Sequence, residues 1–411
     1  MGSIALTIAG LPARGTPVSH DLPLPDEHAR AHSERLRALI AEVIRAEGGA
    51  IPFSRYMELA LYAPGLGYYS AGAQKFGPAG DFVTAPELGS LFAQSVAEAI
   101  APVLRHVDDA QVLELGGGSG AFAEDLLVHL AVLDAVPKRY AILEPSADLR
   151  QRQCERLQAR LPAALLEGVC WLDGPQETRW NGVLVANEVL DALPVTRFVM
   201  HEGEAHEAFV MLDAQGRFAW ADRPADGFLA AAVRHLQTQL ATPLPDGLRS
   251  EVLVQLPYWI QAVGGLLHQG AMLFVDYGHP RRDYYAATRA SGTLRGFYRH
   301  RMVEDPFLWP GLTDLTASVD FTAVAEAGVA AGFELAGYCS QAGFLFGNAL
   351  ETHFETLHAL AEDEAARYRL AQQVKQLTLP GMMGESFQAM GFSRGVDFSH
   401  AFTQGDLRWR L

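Results

Sequence analysis

Lysine is nearly missing from this chain: Lys75, Lys138 and Lys375 are the only three in 411 residues. Lysine and arginine together number 32 against 48 aspartates and glutamates, a formal net charge of −16. Phosphate backbones are bound by clustered basic side chains, so this balance argues against a nucleic-acid partner. The excess of arginine over lysine reads as coding bias, not as a phosphate-binding device. Cysteine is as sparse. Cys154, Cys170 and Cys339 lie far apart, show no metal-ligand spacing and cannot pair completely. That usage fits a reducing, cytoplasmic setting in which each thiol acts as a small buried hydrophobe. No apolar run approaches the length of a bilayer span, so membrane insertion is not expected. The opening MGSIALTIAGLPARGTPVSHDLPLP has no charged region ahead of its apolar part, which argues against a secretory signal. Its prolines suggest a flexible N-terminal arm over residues 1–25.

What the chain does have is apolar content. Hydrophobic residues make up 49%, enough for a large core and too much for a disordered chain. Its length suits one enlarged α/β unit with insertions. Residues 26–105 read as a helical cap. Leu36, Leu39, Ile40, Val43 and Ile44 recur at helical spacing until Gly48 and Gly49, and a second helix starts near Ser54, a candidate cap. Two irregular loops follow: a tyrosine- and glycine-rich turn at 62–69, and residues 74–87. An apolar helix then runs from about Leu88 to Leu104.

From residue 106 the pattern becomes strand and helix in alternation. Short apolar strands are expected at 112–115, 140–143, 169–172 and 183–186, with a further one at 271–275. Residues 197–220 look like paired strands with a turn near 213–216, forming part of an insertion over about 195–250. Residues 253–267 read as a helix with Pro257 near its start, broken by Gly270. A polar stretch, 281–320, lies outside the strand pattern as a second insertion. A helix at 321–331 and strands near 333–340 and Phe344 would complete the sheet by residue 346. Residues 347–411 read as a helical tail packed outside it.

The most informative stretch is 111–120, QVLELGGGSG. An apolar strand ends in an acid and then in glycines at alternate positions. The text after it, with Phe122, Leu126, Leu127 and Leu130 on one side, is helical. Glycines there let the backbone take positive φ and press against a ligand, while the helix start offers free N–H groups. The dinucleotide fingerprint runs G-x-G-x-x-G. Here the order is E-x-G-x-G-x-G, with Glu114 ahead of Gly116, Gly118 and Gly120. That order suits S-adenosylmethionine, which has no pyrophosphate to cradle and carries an ammonium for a nearby carboxylate.

Acids close the next strands. Glu144 stands where nucleotide-binding α/β folds hold a ribose, or else serves the dipole of the helix beginning near Ser146. Asp173 would meet the adenine amino group, with Trp171 or Leu172 on the ring, or is a surface turn with Gly174 and Pro175. After the fourth strand comes NEVLDALP, placing Asn187, Glu188 and Asp191 beyond a carboxyl strand end, where such sheets bind ligands. The plain alternative is a helix cap with first-turn acids.

Taken together, GYYS at 67–70, GDFVTAPE at 80–87, LELGGGSG at 113–120 and NEVLDALP at 187–194 resemble the MidA-like class I methyltransferases. VDYGH at 275–279, LRGFYRH at 294–300 and LTDLTASVDF at 312–321 extend the resemblance over about 51–346. This family includes many bacterial members and a mitochondrial complex I assembly enzyme that methylates a protein arginine to the symmetric dimethyl product. The resemblance implies a Rossmann-like, seven-stranded class I sheet with a helical N-terminal cap and inserted segments. It also implies that Glu114, Gly116, Gly118 and Glu144 touch S-adenosylmethionine, and that Gly80, Asp81, Phe82 and Thr84 close over it. One departure is the GGGSG loop, where a proline often stands second; this changes stiffness more than chemistry.

Methyl transfer needs positioning and a polar pocket rather than a metal, so no metal is expected. An arginine acceptor, ionised with a pKa above about 12, would need carboxylates to orient it and one to take its proton. Glu188 and Asp191, three apart at an expected helix start, are the candidates beside Asn187, with Asp81 and His279 as lesser ones. The expected reaction releases S-adenosyl-L-homocysteine. The acceptor would be a protein, a respiratory-complex subunit or another arginine-bearing one, and a homodimer is compatible with the sequence. Two other readings stand beside this one: a non-catalytic assembly or interaction factor that keeps the cofactor pocket, and a small-molecule methyltransferase. A dinucleotide oxidoreductase fits the glycine spacing poorly.

Overall fold

In the computed structural model, residues 22–71 and 84–411 are described. Seven strands form the path of the main sheet: β1 (Gln111–Leu115), β2 (Arg139–Leu143), β3 (Val169–Leu172), β4 (Trp180–Asn187), β5 (Leu267–His279), β6 (Glu334–Ser340) and β7 (Phe387–Arg394), and an eighth, the two-residue Val319–Asp320, pairs with the end of β5. Their spatial order is β3-β2-β1-β4-β5-β7-β6, with β7 antiparallel to both neighbours and the others mutually parallel. The seven-stranded sheet expected from the sequence is therefore present.

The expected strands at 112–115, 140–143, 169–172 and 183–186 all lie within it. Except at the edge strand Val169–Leu172, which is only half-buried, their apolar runs bury side chains on both faces, as parallel sheets do. Val112, Val183, Val185, Leu273 and Val275 pack on one side, against α3 (Leu91–His106) and α4 (Ala121–Val132). Leu113, Leu184, Met272 and Phe274 pack on the other, against α6 (Leu256–Gly264) and α7 (Phe321–Ala330). Between β2 and β3 runs α5 (Ala147–Arg160), capped by Ser146, whose hydroxyl accepts from Leu149 N–H.

Three expectations are corrected. Residues near Phe344 form a helix, α8 (Gln341–Gly347), not a strand. The last strand comes instead from Phe387–Arg394, so the region from 347 onward is not purely helical. After α9 (Leu350–Leu360) and α10 (Glu364–Thr378) it re-enters the sheet. Its strand reads FQAMGFSR, with a glycine at its centre, which masks the pattern. Gly391 is needed because a Cβ there would fall 2.3 Å from the Phe402 ring. Finally, Gly270 does not break a helix. It lies inside β5 at φ +150°, where a Cβ would meet Gly182 O at 1.8 Å. The helix before it already ends at Gly264.

A second layer covers the carboxyl ends of the sheet. Helices α1 (Glu27–Ala46) and α2 (Phe53–Tyr62) pack on a five-stranded antiparallel sheet made of Ala50–Pro52, Thr196–His201, Glu204–Leu212, Phe218–Pro224 and Arg249–Val252. The paired strands expected near 197–220 belong to it. Ser54 is not a cap; Pro52 precedes α2 and supplies no side-chain hydrogen bond. The 281–320 stretch holds a small sheet of Arg295–Tyr298, Arg301–Val303 and Asp314–Thr316. Tyr56, Phe218, Trp220 and Phe307 interlock these pieces through ring contacts of 4.8–5.9 Å.

Candidate active site

Strand order reverses between β1 and β4, and ligands of open α/β sheets bind in the crevice beyond such a point. A cavity of about 1080 Å3 opens there. That is slightly above the usual range of small-molecule sites, roughly 300–1,000 Å3, and leaves room for two reactants.

The turn after β1 forms one end. Gly116, Gly118 and Gly120 take φ of +67°, +52° and +82°, values that cost other residues strain. Gly116 N–H donates to Leu143 O at 3.0 Å and Gly120 N–H to Gly117 O at 2.8 Å. Gln153, fully buried on α5, fixes the turn by donating to Gly118 O at 3.0 Å, while Trp171 Nε1–H donates to Gln153 Oε1 at 2.8 Å. Nothing in the sequence pattern marked Gln153, because it acts from a helix more than thirty residues away.

Gly116, Gly118, Glu114, Glu144 and Thr84 all line the cavity. Glu114 accepts from Tyr140 O–H at 2.8 Å, and burial pushes its carboxyl up to about 7. Glu144 is buried too and accepts from Ser146 N–H at 3.0 Å. Two expected contacts are corrected. Gly120 is not in the cavity wall; it turns the chain into α4 and packs on Gln153. Asp173 is 93% exposed, pairs with Arg150 at 2.5 Å and stands outside the wall. Asp148, at the start of α5, lines the cavity instead. Gly80, Asp81 and Phe82 lie outside the described residues.

The other end is acidic. Asn187, Glu188 and Asp191 line it together with Tyr62, Tyr69, Tyr277 and Asp314. The expected helix start is not formed. Asp276 Oδ2, at the end of β5, accepts from the N–H groups of Val189, Leu190 and Asp191 at 3.2, 2.9 and 3.2 Å. These donors are satisfied as in a helix first turn, but Pro194 has no N–H to continue one. Glu188 takes φ +53°, a rare conformation for a residue with Cβ and one that often marks a functional site. Its carboxylate accepts from Asn187 Nδ2 at 3.2 Å and Ala85 N–H at 3.4 Å.

Burial, with Asp191 nearby, pushes Glu188 up to about 8; burial pushes Asp191 up to about 6 and Asp276 well above the usual range. Asn187 Oδ1 and Asp191 Oδ1 are buried without a hydrogen-bond partner among the described residues. No Lys, Arg or His among the described residues forms an ion pair with Glu188, Asp191 or Asp276. Three buried acids with no cation between them are costly to ionise together, and a cationic ligand would relieve that cost. His279 is not part of this group. It lies half-buried against Arg289, 3.1 Å away, outside the wall, and burial with that guanidinium pushes it down to about 4.

Residues 95–339 match a family model described as "Putative S-adenosyl-L-methionine-dependent methyltransferase". The chain belongs to this methyltransferase family. It superposes on a Burkholderia thailandensis protein solved with bound S-adenosyl-homocysteine at TM-score 0.89, with 42% identity over 95% of this chain and 100% of that one. It is 29% identical to the mitochondrial protein arginine methyltransferase NDUFAF7 homolog of Drosophila melanogaster, over 95% of this chain and 92% of that protein. The human NDUFAF7 is 28% identical over 82% of this chain and 79% of its own length. The protein is thus an S-adenosylmethionine-dependent methyltransferase of the MidA-like group. The glycine turn and the two buried carboxylates on the cavity wall fit a cofactor with an ammonium and a ribose. No helix among the described residues is long and apolar enough to cross a membrane.

Proposed function

We propose that this methyltransferase acts on an arginine side chain of a protein, and that the two ends of the cavity divide the work. Glu114 would hold the cofactor's ammonium, Glu144 its ribose, and the turn at Gly116 and Gly118 would lie along it, with Thr84 at the lid side. S-adenosylmethionine supplies a sulfonium-bound methyl group and leaves as the neutral thioether S-adenosyl-L-homocysteine. Glu188 and Asp191 would grip the guanidinium through charge-assisted hydrogen bonds. Glu188 Oε would take the proton from the reacting nitrogen, and Asn187 Oδ1 would accept from another N–H. Holding the acceptor in line is worth roughly 7–11 kcal/mol of barrier.

The observation that carries this reading is the buried acid group without a cation. A cationic acceptor favours the ionised carboxylates that orient it and take its proton, whereas a neutral or anionic one leaves burial holding them protonated. The names of the NDUFAF7 relatives support the same substrate class. The test is incubation of the purified chain with methyl-labelled S-adenosylmethionine and cell lysate or respiratory-complex subunits. Labelled proteins are then hydrolysed and their amino acids separated. Label in methylarginine is the expected result. Label in lysine or carboxyl esters, or only in small molecules, would overturn the arginine assignment. Cofactor binding with no transfer would point to an assembly factor instead.

A further inference from the structure

Away from the cavity, three helices bring two imidazoles and one carboxylate to a point. Glu98 comes from α3, His129 from α4 and His353 from α9. His129 Nε2 and His353 Nε2 each lie 3.3 Å from Glu98 Oε1, and the three ligand atoms all fall within 4.8 Å of one another. The rings meet edge to face, with centroids 4.6 Å apart. A hydrogen bond accounts for the His129 contact. It does not account for the other: His353 Nε2 is buried and has no hydrogen-bond partner among the described residues. With its lone pair on Nε2, His353 would set two acceptors against each other across that 3.3 Å contact, a conflict that a cation between them relieves.

We propose that Glu98, His129 and His353 form a binding site for a first-row divalent cation, Zn2+ foremost. Zinc binds imidazole nitrogen and carboxylate oxygen at about 2.0–2.2 Å in tetrahedral geometry, which sets neighbouring ligand atoms roughly 3.4 Å apart. Both nitrogen-to-oxygen separations here are 3.3 Å. Two imidazoles with one carboxylate suit zinc and its neighbours better than magnesium or calcium, which favour all-oxygen shells. Glu98, with 31% of its side chain exposed, leaves the fourth position to a water.

The site would tie α9 to the two helices that pack on β1. The chain runs from α9 into α10, which carries Gln376, and on to Met382, Met383 and Ser386, all four on the cavity wall. A cation there would therefore anchor the segment that forms one cavity wall. None of the three ligands lines the cavity itself.

The test uses the full chain stripped with EDTA and titrated with ZnCl2 by calorimetry, with CoCl2 as a visible-absorption probe. One Zn2+ per chain and a raised melting temperature are expected. His353→Gln and His129→Gln should each lower Zn2+ affinity by about 100-fold or more, the upper range for losing even an outer-shell partner. Apo forms of both variants should still bind S-adenosyl-homocysteine. If a variant does not fold, X-ray absorption of the zinc-loaded wild type decides. A shell of two imidazoles and oxygen supports the site. No stoichiometric binding, a different ligand shell, or unchanged affinity in His353→Gln would overturn it.

Discussion

The two ends of the cavity are made in different ways. The glycine end comes almost whole from one strand–turn–helix, residues 111–132, with one acid added by the next strand. The acidic end is assembled from at least five separated segments: Tyr62 and Tyr69, Asn187 to Asp191, Asp276 and Tyr277, Asp314, and Ala85. The first end offers bare backbone flanked by two carboxylates, Glu114 and Glu144. The second offers carboxylates whose ionisation the fold itself opposes. A shared cofactor can be met by one contiguous device, whereas an acceptor site draws on whatever loops the insertions bring over the sheet.

Substitutions can separate the ends. The largest effect is expected for Gly118→Val: a branched residue at φ +52° is strained and crowds the cofactor side. Calorimetry should find no S-adenosyl-homocysteine binding while circular dichroism stays native. Retained affinity would break the assignment of this end. Glu188→Gln comes next. It should lower kcat by about 10^2–10^4-fold, the usual weight of a positioned acid or base, with cofactor affinity within about threefold. Equal losses in both would merge the two ends into one.

The third test is stability against pH. Glu188 titrates near 8 in the fold against an ordinary value near 4.5, so between these the native state holds the extra proton. Stability attributable to this group is present below about 4.5 and is lost as pH rises through 8. Glu188→Gln should therefore melt higher than wild type at pH 8, with the gap closing toward pH 5. A pH-independent gap would contradict the burial argument. Gln153→Leu should weaken cofactor binding about tenfold by freeing Gly118 O, a loss of about 1–2 kcal/mol for an unmet buried acceptor. The smallest effect belongs to Asp173→Asn, which should leave cofactor affinity within about twofold because the side chain faces solvent.

The same contrast explains what the sequence disclosed. Six of the seven strands and the glycine turn were legible because each is a local apolar run punctuated by turn residues. Glu188 and Asp191 were legible because they follow a strand directly. Asp276 was visible only as part of a motif, since its task, holding three N–H groups 85 to 87 residues earlier, is a tertiary event. Gln153 gave no signal for the same reason. Gly270 and Gly391 misled because a glycine that admits a neighbouring backbone or ring looks, in one dimension, like a break.

The placement of β7 bears on biosynthesis. Phe387–Arg394 lies between β5 and β6, both of which leave the ribosome first. Until these residues emerge, β5 and β6 present unpaired edges across a gap one strand wide, an invitation to faulty pairing. The nascent chain can assemble β1 to β4 early, yet must keep its last partner position vacant. A chain cut off before Phe387 would leave the facing edges of β5 and β6 open.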